Sequence, residues 1–173
     1  MEAAGAAIDR LVRVQQDFPI PGVLFRDLTP VLADAAALRA VTRALAHAHG
    51  PVDVVAGLES RGFLLAAAAA AVLGTGVLAV RKPGKLPGDV LSESFELEYG
   101  TGTFQVHPSD VPDGARVLVL DDVLATGGSA TAACRLVERA GGTVAGVAVA
   151  IELVDLGGRA ALGPVPLVAL RRW

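Results

Sequence analysis

The chain has 173 residues, enough for one domain with a substantial core. It is 53% hydrophobic but only 4% aromatic, so Ala, Val and Leu must build that core. A net charge of -3 argues against a broad nucleic-acid or membrane-surface footprint, and the single cysteine, Cys134, excludes an intrachain disulfide.

Met1 to Arg13 carries acids and lacks the apolar centre of a signal peptide, which favours the cytoplasm. A helix is expected near Ala4 to Gln16. In Phe18 to Asp27, Pro19 and Pro21 impose an extended, rigid path that can offer backbone donors and acceptors to a flat ring. Leu24 and Phe25 read there as apolar contacts or as core. A helix is expected near Asp34 to His47, then a strand Val52 to Ala56. Gly57-Leu58-Glu59-Ser60-Arg61-Gly62-Phe63 marks a change from strand to helix. Ligands of open α/β sheets bind outside the carboxyl ends of strands, so backbone N–H groups and Arg61 suit a diphosphate. A capped helix start with a solvated Arg61 fits that segment about as well.

Phe63 to Val80 runs 18 residues without a charge, close to the length of a membrane span. Its alanines are weakly apolar and Gly74-Thr75-Gly76 interrupts it. A helix ending near Leu73 and a strand Val77 to Val80 is the better reading. From Arg81 to Pro112 the chain is polar and rich in Gly and Pro. The excursion opens on Arg81-Lys82-Pro83-Gly84-Lys85, three cations directly after a strand. They suit the growing charge of a leaving diphosphate, or equally a solvated loop. Ser92 to Gly100 has the spacing of a short hairpin strand.

Val117 to Leu120 is an apolar run that does not alternate, the mark of a buried parallel strand. It ends in Asp121 and Asp122. Thr126-Gly127-Gly128-Ser129 follows, and then a helix from Ala130 to Ala140 with Ala133, Leu136, Val137 and Ala140 on one face. The glycines let the backbone turn and approach an anion, the helix start supplies N–H groups, and Thr126 and Ser129 add hydroxyls. The two acids cannot bind phosphate, but they can accept from ribose hydroxyls or hold a hydrated Mg²⁺. No Lys follows the glycines, so this is not a Walker loop. A last strand is expected over Val144 to Ile151. Strands alternating with helices imply an α/β fold with a mainly parallel, twisted sheet flanked by helices. Cys134 reads as a small buried residue. His47, His49 and His107 show no metal-ligand spacing and read as surface residues.

Asp121 to Ser129 resembles the motif of the type I phosphoribosyltransferases that binds 5-phosphoribosyl 1-diphosphate (PRPP). Ser129 stands where that pattern usually has Thr. Gly57 to Phe63, Arg81 to Pro87 and Ser92 to Gly100 are similar to the diphosphate loop, basic loop and lid of the adenine-specific branch, with Phe95 where Tyr is common. The matches come in family order from about Phe18 to Arg159.

The resemblance implies a single phosphoribosyltransferase domain over 1–173, a small hood from about 18–30 and 151–173, and a mobile lid over about 81–107. It implies transfer of the 5-phosphoribosyl group from PRPP to adenine, giving AMP and diphosphate in purine salvage, with Mg²⁺ bound to PRPP. Asp121, Asp122, Ala125, Thr126, Gly127, Gly128 and Ser129 would hold the ribose and 5′-phosphate, the two acids also being candidate metal contacts, directly or through water. Ser60, Arg61, Arg81, Lys82, Lys85 and Tyr99 would hold the diphosphate. Leu24, Phe25, Arg26 and Leu153 would hold adenine. Glu98 would move the proton at purine N7, its pKa raised in a closed, dry lid. A cytoplasmic homodimer, without nucleic-acid or membrane partners, is implied as well. Two other readings stay open. One is a transferase for another base such as hypoxanthine or xanthine, although the 6-oxopurine members tend to have a Lys that Ile151 to Val154 lacks. The other is a non-catalytic regulator that senses PRPP.

Overall fold

The computed structural model describes residues 1–18, 20–96 and 100–173. Its centre is a five-stranded parallel sheet in the order β4-β3-β7-β8-β9. These strands are β3 (Val54–Leu58), β4 (Gly76–Val80), β7 (Arg116–Leu124), β8 (Thr143–Glu152) and β9 (Leu167–Arg172). Side-chain alternation along β7 feeds two cores. Val117 and Val119 face one layer, Leu118 and Leu120 the other. Helices α1 (Glu2–Leu11), α2 (Thr29–Ala33), α3 (Ala35–Ala46) and α4 (Arg61–Leu73) pack on the Leu118 side. Helix α5 (Gly128–Arg139) packs on the Val117 side, together with an antiparallel hairpin of β5 (Leu91–Glu96) and β6 (Thr101–Val106). No helix among the described residues is long and apolar enough to cross a membrane.

Several boundaries have a visible local cause. The Asp34 side chain caps α3 by accepting from the backbone N–H groups of Ala36 and Ala37 at 3.0 and 2.8 Å. Helix α4 stops at Leu73, as its sequence indicates, because Gly74 takes the left-handed conformation at φ 71°. Cys134 is buried on α5.

The sequence expectation fails at the N-terminal helix. It ends at Leu11, and Arg13–Gln16 forms β1, an exposed strand paired antiparallel with β2 (Leu24–Asp27). The turn between them is closed by Asp17, whose carboxylate accepts from the Gly22 N–H at 2.7 Å. The strand β7 also runs further than expected, through Asp121 and Asp122 to Leu124. Helix α6 (Gly158–Ala161) and β9 were not anticipated.

This topology creates one place where a ligand belongs. Strands β3 and β7 are neighbours, yet the helices that follow them, α4 and α5, leave onto opposite faces of the sheet. The crevice opened between their carboxyl ends is the topological switch point of an open α/β sheet.

Candidate active site

The β7 side of the crevice is the turn from Ala125 to Ser129. Asp121, Ala125 and these turn residues line a cavity of ≈ 290 Å³. Gly127 is left-handed at φ 86°. A Cβ there would also lie 2.6 Å from the Gly158 carbonyl oxygen, and one on Gly128 would lie 2.5 Å from that of Glu96. The glycines therefore do more than clear a path for an anion. They let α6 and the end of β5 close directly over the turn.

The β3 side carries the cations. Glu59, Ser60, Arg61, Lys82, Asp121 and Asp122 line a second cavity, of ≈ 370 Å³. The two cavities share Asp121, Val123 and Ala125, so they are contiguous. Gly62 brings α4 against β7, since a Cβ there would stand 2.9 Å from the Leu120 carbonyl oxygen and 3.0 Å from Asp121 Oδ1. Arg61 Nε donates to Asp122 Oδ2, and the Asp122 side chain is almost fully buried beneath it. Burial works against the Arg61 charge, but the Asp122 carboxylate outweighs it and raises the Arg61 pKa. Asp121 differs from its neighbour. Burial and the adjacent Asp122 charge push its pKa well above the usual carboxylate range, although Oδ1 accepts from the Asp122 N–H at 2.9 Å.

Glu59 organises the basic loop, a role its sequence did not reveal. Its Oε2 accepts from the Lys82 backbone N–H at 3.0 Å and from Arg81 Nε at 3.2 Å, and its pKa is lowered by those contacts. Arg81 also lies 5.7 Å from the centre of the Phe63 ring and bridges to Gln105 of β6. Lys85 is exposed and does not line either cavity. The ring of Phe95 packs on Phe104 at 4.9 Å between centroids and covers Gly102. Glu98 and Tyr99 lie outside the described residues, as does Pro19.

The hood residues separate by strand alternation. Leu24, Arg26 and Leu153 line a cavity of ≈ 410 Å³ with Trp173, and the Arg26 guanidinium stands 5.2 Å from the Trp173 ring. Phe25 is on the other side of β2, with Arg61 over its ring at 5.7 Å and Phe18 edge-on at 5.0 Å. His49 is no simple surface residue. It is half-buried, and Nε2 meets the Val147 carbonyl oxygen at 2.8 Å.

A crevice with a glycine turn on one side, paired cations on the other and two carboxylates between them matches known proteins closely. The family model for the phosphoribosyl transferase domain covers residues 29–160. An adenine phosphoribosyltransferase of Clavibacter sepedonicus is 61% identical over 92% of this chain and 84% of its own length. The chain belongs to the adenine phosphoribosyltransferase family. The crystal structure of the Thermoanaerobacter pseudethanolicus adenine phosphoribosyltransferase superposes with a TM-score of 0.93 at 42% identity, covering 98% of this chain and 99% of that one. The Saccharomyces cerevisiae adenine phosphoribosyltransferase, solved with D-2,5-dideoxy-2,5-imino-altritol 1,6-bisphosphate and adenine, superposes with a TM-score of 0.92 at 34% identity over 98% and 99% of the two chains. The sheet, the switch point and the glycine turn of this chain are thus those of an adenine phosphoribosyltransferase family member.

Proposed function

We infer that the protein transfers the 5-phosphoribosyl group from PRPP to adenine, releasing diphosphate and forming AMP. The observation that carries this reading is the contiguity of the glycine-turn cavity and the cation-lined cavity across Asp121. A PRPP molecule needs that order of groups: N–H donors for the 5′-phosphate, carboxylates for the ribose hydroxyls, cations for the diphosphate.

In this reading Ala125 to Ser129 hold the 5′-phosphate, and Asp121 and Asp122 hold the ribose. Breaking the bond between C1 and the diphosphate oxygen builds oxocarbenium character, which nearby carboxylates stabilise. Arg61 and Lys82, with Ser60, take the diphosphate, and Arg81 and Lys85 add positive potential. Adenine N9 forms the new bond to C1, and Glu98 moves the proton at N7. Adenine lies between β2 and Leu153, where Phe25 offers a ring on the side of Arg61. Segments 18–30 and 151–173 serve as hood, and the β5–β6 hairpin with its flanking loops serves as lid. Closure excludes the water that would hydrolyse PRPP. Hard oxygen donors, the Asp121 carboxylate and the Ser60 hydroxyl, fit Mg²⁺ entering with PRPP. Such an ion would neutralise part of the diphosphate charge. The reading extends to a cytoplasmic homodimer, supported by the exposed apolar side chains Leu64 and Val72 of α4 and Val77 of β4.

The test is turnover of purified protein given PRPP, Mg²⁺ and one base at a time. Adenine presents a donor at C6, whereas hypoxanthine and guanine present an acceptor. One buried group left unpaired costs about 1–3 kcal/mol, so adenine should be preferred at least tenfold. A preference for hypoxanthine overturns the reading. Glu98→Gln should lower turnover by about 10²–10⁴-fold with PRPP affinity unchanged.

A further inference from the structure

Glu152 closes β8 and is one of the few charged residues in the core, with 2% of its surface exposed. It is not left unpaired. Arg159 of α6 grips it with both arms, Nε to Oε1 at 2.9 Å and a terminal nitrogen to Oε2 at 2.5 Å. Arg172 of β9 donates to Oε2 at 3.0 Å. The hydrogen bond from Arg159, helped by both positive charges, holds the carboxyl below the usual glutamate range. Two arginines from two elements thus converge on one buried carboxylate.

The Arg159 contact has a consequence at the site. Arg159 follows Gly158, and Gly158 is pressed against the 5′-phosphate turn without clearance. A Cβ on Gly158 would fall 2.3 Å from the Ala125 carbonyl oxygen and 3.0 Å from Gly127 N, and one on Gly127 would fall 2.6 Å from the Gly158 carbonyl oxygen. Leu153, next to Glu152, donates its N–H to the Leu124 carbonyl at 2.9 Å. The carboxylate is therefore tied through Arg159 to the backbone that would wrap the phosphate. Its tie through Arg172 leads only to the edge strand.

We propose that Glu152 and Arg159 are positioning residues for the ribose-5-phosphate half of the reaction, holding α6 as the back wall of the Ala125 to Ser129 turn. The inference rests on the PRPP reading of that turn. Neither residue touches the substrate. Each acts by fixing where the turn's N–H groups stand, in a site where a 1 Å displacement costs about a hundredfold.

The test separates the two arms of the clamp. Wild type is first assayed with PRPP and adenine, since absence of turnover there would refute the functional reading rather than the clamp. Arg159→Met and Glu152→Gln should each raise the KM for PRPP about tenfold, with kcat changed far less, as expected for a sub-ångström shift of the turn. The double variant should be no worse than either single one, because both remove the same link. Arg172→Met should lower the Tm and leave the KM for PRPP as in wild type. If Arg159→Met does not fold, Arg159→Lys, which keeps the charge and loses the fork, should show the same rise in smaller degree. An unchanged KM for PRPP in a folded Arg159 variant, or an equal rise in Arg172→Met, would overturn the proposal.

Discussion

The two sides of the crevice are built on different principles. On the β7 side the turn from Ala125 to Ser129 is shaped by contact. Gly158 and Glu96 press on it, and what it offers is backbone. On the β3 side the means is charge. Arg61 is already paired with Asp122, and Arg81 and the Lys82 N–H with Glu59. One side is preorganised by shape and cannot shift without collision. The other keeps its cations in place on carboxylates until a stronger anion arrives. This division suits a substrate whose 5′-phosphate stays through the reaction while its diphosphate must leave.

The sharpest way to break the comparison is to alter the shaped side. Gly127→Ala should weaken PRPP binding about a hundredfold by calorimetry, because a side chain there meets both the Gly158 carbonyl and a left-handed backbone. A smaller effect is expected on the charged side. Glu59→Gln should raise the KM for PRPP by a few fold, since Arg81 and Lys82 lose their anchor but keep their charge. Ionic strength should separate the two sides without mutation. Raising salt from about 0.05 to 0.5 M should weaken diphosphate binding more than AMP binding, because exposed charges are screened and backbone donors are not. Equal weakening would remove the distinction.

Acid titration gives a further, smaller effect. The lowered pKa of Glu152 means that its pairing stabilises the fold fully above the ordinary glutamate value of 4.5 and is lost as pH falls through its folded value. The Tm values of wild type and Glu152→Gln should therefore converge below that range. The smallest effect of all is expected at Cys134. Its thiol pKa is pushed up to about 12 by burial, so alkylation near pH 8 should be negligible until the protein unfolds.

Much of this was legible in the residues themselves. The strand-to-helix changes at Arg61 and at Gly128 carry local signals: apolar runs, glycine turns and a helix whose end Gly74 fixes. Where pairing depends on distant chain, the signal was absent. Strand β1 looks like a continuation of α1 until β2 is present to pair with it. Strand β9 carries Arg171 and Arg172, so its sequence does not read as buried, yet Arg172 is held by Glu152. The same limit hid the Glu59 anchor and the Glu152 clamp. A lone acid between Ile151 and Leu153 was the only local sign that a partner must exist. Leu24, Phe25 and Arg26 were grouped by their neighbourhood in sequence, and strand alternation then sent Phe25 to the opposite face.

The central claim is that the two sides of the crevice form one PRPP site joined at the acids. It is tested most directly by titrating PRPP with Mg²⁺ into wild type and into the Asp121→Asn, Asp122→Asn double variant in a calorimeter, with the Tm of each recorded. A binding heat in wild type that disappears in a folded double variant is the expected result. Unchanged affinity in that variant would contradict the account.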